Sequence, residues 1–435
     1  MSQKRFNTEL LNFLERSPTA FHAVAALKSM LLDSGFIALS EEEQWDLADG
    51  DNYFVTRNDS ALIAFRHDSQ SLLGEGLRLT GAHTDSPSLK VKPNPEIKRQ
   101  GYMQLGVEVY GGALFAPWFD RDLSLAGRVN YKSRRGELRS ALIDFSDPIA
   151  VIPSLAIHLN RGVHDSRSIN AQKELVPLLS KLGEGEEFDF NELLLQQVKE
   201  QPAHRSAQEI LAHELYFYDS QAASLIGLKK EFIASARLDN LLSCFLACRA
   251  LVSCKNTHAS LLVCNDHEEV GSVSSSGAQG PFLKSVLERL SHCCGDDPDL
   301  LSRIVAKSSL ISIDNAHGVH PNYLERHDDK HRPVLNAGPV IKLNANQRYA
   351  SNSHSVALFK SICDTVKVPY QSFVMRNDMA CGSTIGPITS TVLGVDTVDV
   401  GAPQLSMHSI RETTGWHDPV LLYRALKEFF ESQTL

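Results

Sequence analysis

The sequence predicts an α/β fold, a mixed sheet sandwiched by helices, interrupted by an inserted and mainly β domain. Two observations predict it. In the flanking portions of the chain, apolar strand-like runs alternate with helical segments: Leu77–Gly81, Ser260–Cys264, Ser309–Ile313, Pro339–Leu343, Tyr370–Val374 and Thr397–Val400, the pattern of a sheet with helices on both faces. From about Pro93 to Lys230 the character changes to short β-like runs, Met103–Tyr110, Leu125–Tyr131 and Ala141–Phe145, followed by a polar, acidic loop around Lys181–Glu187. At 435 residues the chain also exceeds one ordinary core. The division predicted is 1–92 together with 231–435 as one discontinuous domain, and 93–230 as the insertion.

At the N-terminal end, Phe6–Leu32 has helical periodicity broken at Ser17-Pro18-Thr19, where Ser then Pro marks a fresh helix start, so two helices are expected. Tyr53–Thr56 and Ala61–Phe65 flank Asn58-Asp59-Ser60 and read as a hairpin. A formal charge of -9, spread along the chain, argues against a nucleic-acid partner. No apolar run approaches the roughly 20 residues of a membrane span, and the N-terminus turns polar at once, so no membrane association and a cytoplasmic location are expected. Cys244, Cys248, Cys264 and Cys363 lie in apolar runs, and no pair has Cys-x-x-Cys spacing, which disfavours a thiolate metal centre.

The chemistry gathers where the apolar runs end. They lead into His83-Thr84-Asp85, Asp266-His267-Glu268-Glu269, Asp314-Asn315 and Met407-His408-Ser409. Ligands of open α/β sheets bind just beyond the carboxyl ends of the strands. Asp239 follows Ser-Ala-Arg-Leu and opens a helix of buried character, where it serves equally well as a helix cap. Singly, each of these residues has a structural reading, as a strand-end histidine or a turn former. Together they form a carboxylate cluster that divalent cations would hold in balance. Imidazole with carboxylate oxygens suits zinc, with manganese or cobalt as substitutes. Asp85, two residues beyond His83, is placed to accept the other imidazole N–H. Of Glu268 and Glu269, one binds metal and its neighbour takes a proton from water; the order stays open at this level. Three carboxylate ligands leave two divalent ions incompletely neutralised, so bound water is acidified towards about 7 and hydroxide is available at neutral pH.

These motifs resemble the aspartyl aminopeptidase family of cocatalytic-zinc peptidases. The resembling segments are Gly81-Ala-His-Thr-Asp-Ser-Pro87, Trp118-Phe-Asp-Arg-Asp-Leu123, Ala156-Ile-His-Leu159, Ser235-Ala-Arg-Leu-Asp-Asn240, Asp266-His-Glu-Glu-Val-Gly-Ser272, Ala316-His-Gly-Val-His-Pro-Asn-Tyr323, Gln347-Arg-Tyr-Ala-Ser351, Arg376-Asn-Asp378 and Met407-His-Ser-Ile-Arg-Glu412. They run through nearly the whole chain in the family's order. The resemblance implies a zinc-peptidase-like catalytic domain with two zinc ions per subunit. Asp239 would bridge them, His83 and Asp314 would complete one, and Glu269 and His408 the other. Glu268 would be the general base for a metal-bridged hydroxide, returning the proton to the departing amine.

The resemblance further implies peptides with an acidic N-terminal residue as substrates. Such a side chain needs a fixed cation, because a carboxylate buried without a partner costs several kcal/mol. Lys342 matches that position, a strand-edge lysine facing water being its alternative reading, and Arg348 is in reserve. Tyr349 matches a residue that contacts the tetrahedral intermediate. The insertion resembles a dimerisation domain of a tetrahedral dodecamer, and His158 resembles a histidine reaching a neighbouring subunit's site, against a core histidine as the alternative. His317, His320, His327 and His331 are candidates to line the site but not ligands. Small departures stand at Ala236, where Pro is common, and at Met379–Thr384, which lacks the usual Pro before Cys381 and Thr after Gly382. Competing expectations are a related two-metal aminopeptidase or deacylase with neutral specificity, and a non-catalytic, metal-stabilised assembly protein.

Overall fold

Among the described residues of the computed structural model (2–164, 167–255 and 258–432), the central feature is a nine-stranded mixed sheet. Its order is Ile37–Ala38, Asn52–Arg57, Ala61–Arg66, Ser260–Asn265, Arg78–His83, Ser309–Ile313, Asp396–Gly401, Val340–Leu343 and Gln371–Val374. The four strands Ser260–Asn265, Arg78–His83, Ser309–Ile313 and Asp396–Gly401 run parallel to one another, so all four release their chains at the same edge. Their near-continuous apolar character has a simple cause: both faces are covered. Leu262, Cys264, Ala82 and Ile311 pack into one core, while Leu261, Val263, Leu79 and Leu310 pack into another on the opposite face.

The helix Leu238–Ser253 lies in the first of these cores and is buried along almost its whole length. Phe245 receives Phe6 at 5.6 Å and Phe13 at 5.5 Å between ring centroids, which fixes the opening helix Gln3–Glu15 against it. Thr19 caps the second helix, Ala20–Asp33, by accepting from His22 N–H, so the break at Ser17-Pro18-Thr19 separates two helices. A smaller five-stranded sheet orders Ser224–Ile226, Phe232–Ser235, Glu412–Gly415, Pro403–Leu405 and Ala316–His317. Ser235 pairs with Glu412 in it, just before the chain enters the buried helix.

By compactness the chain divides differently from the predicted boundaries. One unit takes the chain up to Asp85, then Ala223–Met407 and everything from Glu412 onward; the other takes Ser86–Ala222 and His408–Arg411. The expected cut after residue 92 falls inside a single strand, Ser88–Arg99, which belongs wholly to the second unit. Alternating lysines and two prolines conceal that strand in the sequence. The second unit is a six-stranded antiparallel sheet ordered Leu138–Asp144, Leu123–Ser133, Ala207–Asp219, Ser88–Arg99, Tyr102–Tyr110 and Leu178–Lys181. The helix Phe190–Glu200, capped by Asp189, buries Phe190, Leu194 and Val198 in its core. Ile410 is buried there too, and Arg411 donates to the carbonyls of Gln221 and Ala222, so the four-residue excursion is held within this unit.

Asp418 joins three segments of the first unit. Its carboxylate accepts N–H groups from Asn336 at 2.6 Å, Gly338 at 3.0 Å and Gly415, and it is wholly buried. Burial pushes its carboxyl up to about 6 while those N–H donors pull the other way. Replacement of Asp418 by Ala leaves buried donors without an acceptor and is expected to lower stability by about 2–4 kcal/mol. Urea unfolding checks this, and a midpoint equal to the parent's would refute the anchoring role.

Candidate metal centre

Three of the four parallel strands and one helix start bring His83 and the acidic residues of the first unit together. His83 closes the strand Arg78–His83 and is 1% exposed. Its Nδ1 lies 3.3 Å from Asp85 Oδ1 and 3.1 Å from the Asp85 carbonyl oxygen. A proton on Nδ1 is satisfied there, which leaves Nε2 with its lone pair directed at the centre. Around Nε2 stand Asp239 Oδ1 at 3.6 Å, Asp314 Oδ1 at 3.8 Å and Glu268 Oε2 at 4.0 Å.

Each carboxylate is held by the fold. Asp85 accepts the backbone N–H of Glu268 on one oxygen, at 3.1 Å, and that of Glu269 on the other, at 3.0 Å, clamping the turn Glu268–Val270 that follows the strand Ser260–Asn265. Asp239 sits at the start of the buried helix, with Arg237 before it in the left-handed region at φ +58° and a cis Asp239-Asn240 peptide. Its N–H donates to Glu412 Oε2 at 2.9 Å, and Asn240 Nδ2 donates to the Ile313 carbonyl at 2.8 Å, one residue before Asp314. Asn315 reciprocates, donating to the Leu238 carbonyl at 2.8 Å and to Gln404 Oε1 at 2.6 Å. Helix start and strand end are thereby locked to each other.

The electrostatics of this set call for cations. Burial disfavours a charged His83, yet Asp239, Asp314, Asp85 and Glu268 prevail and hold its imidazole well above the ordinary range. Burial, against the pull of His83, pushes the Glu268 carboxyl up to about 8, with Asp314, Glu269 and Asp85 adding to the rise. The ligand atoms of His83, Asp239 and Asp314 lie within 4.8 Å of one another, as do those of His83, Glu268 and Glu269. The gaps from Nε2 to its neighbours are too long for hydrogen bonds. They are close to the roughly 3.3 Å separation of two donors that each lie about 2.0–2.1 Å from a tetrahedral zinc ion. An N/O donor set with carboxylates in excess therefore fits zinc.

The remaining sequence-predicted residues are placed as follows. Lys342, on the strand Val340–Leu343, is 2% exposed; its Nζ lies 3.3 Å from Asp314 Oδ2 and 3.4 Å from the Asn315 carbonyl. The reading of a strand-edge lysine facing water is thus overturned. Tyr349 is buried with its ring 5.1 Å from Lys342 Nζ, and burial together with the Cys381 thiol pushes its phenol upward. Arg348 is exposed. In the second unit His158 lies in the exposed turn Ile157–Leu159, which rules out a core histidine. His408 has φ +66°, with Nδ1 3.2 Å from the Gly112 carbonyl, in the excursion that starts directly after Met407. His317 packs edge-on against Phe373 at 5.6 Å, and a cavity of about 240 Å³ is lined by His317, His320, His327, Arg326, Arg376 and Met379 among others. The sequence assigned no role to Glu412, Asn315 or Asp399: the first two lay within motifs already quoted, and Asp399 showed as a carboxylate inside an apolar strand.

Fold and donor set together define a zinc-dependent peptidase. A family model described as "Aminopeptidase I zinc metalloprotease (M18)" matches residues 13–430, and the chain belongs to this M18 family of metallo-aminopeptidases. Similar proteins include a "Probable M18 family aminopeptidase 2" of Azotobacter vinelandii, 55% identical over 99% of both chains, and one of Pseudomonas putida, 54% identical over 99% of both. Among solved structures, "Cryo-EM structure of the Ape4 and Nbr1 complex" is matched at 40% identity with TM-score 0.94 over 98% of this chain and 86% of that one. "Structure of S. cerevesiae mApe1 dodecamer" is matched at 29% identity with TM-score 0.83, over 97% of this chain and 95% of that one.

Zinc added to metal-free protein is expected to raise Tm. The stabilisation should reach about 2.7 kcal/mol when free zinc is a hundredfold above its Kd. Asp239→Ala should abolish most of the shift. Thermal scans with and without zinc check this, and an Asp239→Ala protein that responds like the parent would remove Asp239 from the ligand set.

Proposed function

We propose that the protein releases an acidic residue, Asp or Glu, from the N-terminus of peptides, using two zinc ions per subunit, for which manganese or cobalt can substitute. The observation that carries this reading is Lys342, a buried ammonium 3.3 Å from Asp314 in an otherwise acidic centre. A lysine of that kind gives a substrate carboxylate a partner where water cannot. Arg348, being exposed, is the weaker candidate for that task.

In this reading the two ions would be held by Asp239 together with His83, Asp314, Glu269 and His408. Support for His408 comes from chain connectivity: only four residues separate Met407 from Glu412, and the Glu412 carboxylate accepts the Asp239 N–H. Bound zinc supplies Lewis acidity toward the scissile carbonyl and toward water. Glu268 takes the proton of the attacking water and delivers it to the leaving amine. Asp85 holds the Nδ1 proton of His83 and, through its two backbone contacts, fixes Glu268 and Glu269 in register. Tyr349, kept protonated by its burial, donates to the carbonyl oxygen as charge gathers there.

The unit containing Ser86–Ala222 is proposed to dimerise, within a tetrahedral dodecamer in the cytoplasm. Leu155, Ile157 and Leu159, in and just before the turn that carries His158, are exposed, which suits a histidine reaching into a neighbouring subunit. Nothing in the chain's overall negative charge favours nucleic acid, and no described helix is long and apolar enough to cross a membrane.

Two outcomes test these roles. Glu268→Gln is expected to retain bound zinc while losing about a thousandfold in kcat, in line with removal of a general base; comparable turnover in variant and parent would dismiss it as the base. Lys342→Ala should lower kcat/KM for Asp- and Glu-terminated peptides at least tenfold more than for Ala-terminated ones. An unchanged ratio, or a parent enzyme that prefers Leu, would overturn the acidic preference.

A further inference from the structure

Asp399 lies in the middle of a central parallel strand, between Val398 and Val400, and is 0% exposed. A carboxylate there is a burden on stability, since an apolar residue of similar volume is commonly as good or better in a core. Three segments nevertheless converge on it, two of them carrying the site residues Asp314 and Tyr349. Its Oδ1 accepts from Ser312 Oγ at 2.7 Å, two residues before Asp314, and from Thr384 Oγ1 at 2.6 Å. Its Oδ2 accepts the N–H of Ala350, the residue after Tyr349, at 2.6 Å, and its own N–H donates to Ser351 Oγ at 2.9 Å.

The fold makes room for this carboxylate deliberately. Gly386 stands where a Cβ would come within 2.4 Å of Asp399 Oδ1, so a larger residue would expel the group. Burial pushes the Asp399 carboxyl up, while Lys342, the Thr384 hydroxyl, the Ala350 N–H and the Ser312 hydroxyl each favour its charged form. The same aspartate thus acts on the loop of Tyr349 through two hydrogen bonds and on Lys342 through charge.

We infer that Asp399 is a positioning residue for the reaction, setting the Tyr349 loop against the Asp314 strand so that the phenol meets the carbonyl oxygen as it becomes charged. The inference rests on the role proposed above for Tyr349. An isosteric Asp399→Asn can keep the Ala350 N–H on its oxygen only by turning its NH₂ group to the two hydroxyls, which must then reorient from donors to acceptors, and the negative charge that acts on Lys342 is lost.

The test is a double-mutant cycle of Asp399→Asn with Tyr349→Phe, measured as kcat and KM on Asp-, Ala- and Leu-terminated peptide substrates with zinc-saturated enzyme. Asp399→Asn is expected to lower kcat about thirtyfold with KM within threefold of the parent and with its zinc-induced Tm shift retained. The double variant should be no worse than the poorer single variant by more than threefold, because both remove the same contribution. Effects that multiply, a kcat within twofold of the parent, or a Tyr349→Phe with full kcat would each overturn the inference. If Asp399→Asn does not fold, Thr384→Val removes one hydroxyl donor and keeps the charge. It should then lower kcat three- to tenfold with the same non-additivity, and an unchanged kcat would overturn the inference. A parent that favours Leu over Asp sinks only the acidic preference, since the cycle is then read on the Leu substrate and still decides Asp399.

Discussion

Repulsion among buried carboxylates is the constraint around which the first unit is organised. Asp85, Asp239, Glu268, Glu269 and Asp314 gather around one imidazole and one ammonium, with Asp85, Asp239 and Asp314 each less than a tenth exposed. Two like charges 4 Å apart repel by about 4 kcal/mol at an effective dielectric constant of 20. The chain tolerates that only because each acid is anchored by a rigid neighbour, and because cations relieve what the anchors cannot. Attraction to these acids holds the His83 imidazole up, whereas the Glu268 carboxyl is raised first by burial and then by Asp314, Glu269 and Asp85.

The anchors follow from the order of the sheet. Parallel strands deliver His83, the Glu268-Glu269 turn and Asp314 to one edge, and the helix Leu238–Ser253 carries Asp239 at its start. Side-chain amides then tie the separate chain ends to one another. Asn240 grips the strand of Asp314, and Asn315 grips the entrance of the helix that carries Asp239. A dense apolar interior supplies stiffness, while amides and aspartates supply aim.

Much of this was legible in the sequence for a physical reason. Strands buried on both faces are apolar throughout, so the polar residues that break such runs stand out, and His83, Asp314 and the Glu268-Glu269 pair were found that way. The strand Ala207–Asp219 and the strand Ser88–Arg99 were not read, because half of each faces away from the core and carries Lys, Glu, His or Pro. Asp399 lay inside a run already recognised as a strand, yet hydrophobic periodicity has no means of showing which hydroxyls and amides a lone acid will meet. Lys342 illustrates the converse: the family resemblance pointed to it, whereas its burial against Asp314 depends on a neighbouring strand far away in the chain.

The second passage of the chain through the smaller unit bears on how such a protein is inherited. His408–Arg411 returns to that unit long after Ala222 has left it. No single uninterrupted stretch encodes either unit, so splicing out residues 86–222 as a cassette would orphan Ile410 and Arg411 from the groups they pack upon. Exchange at one pair of breakpoints cannot replace this unit whole.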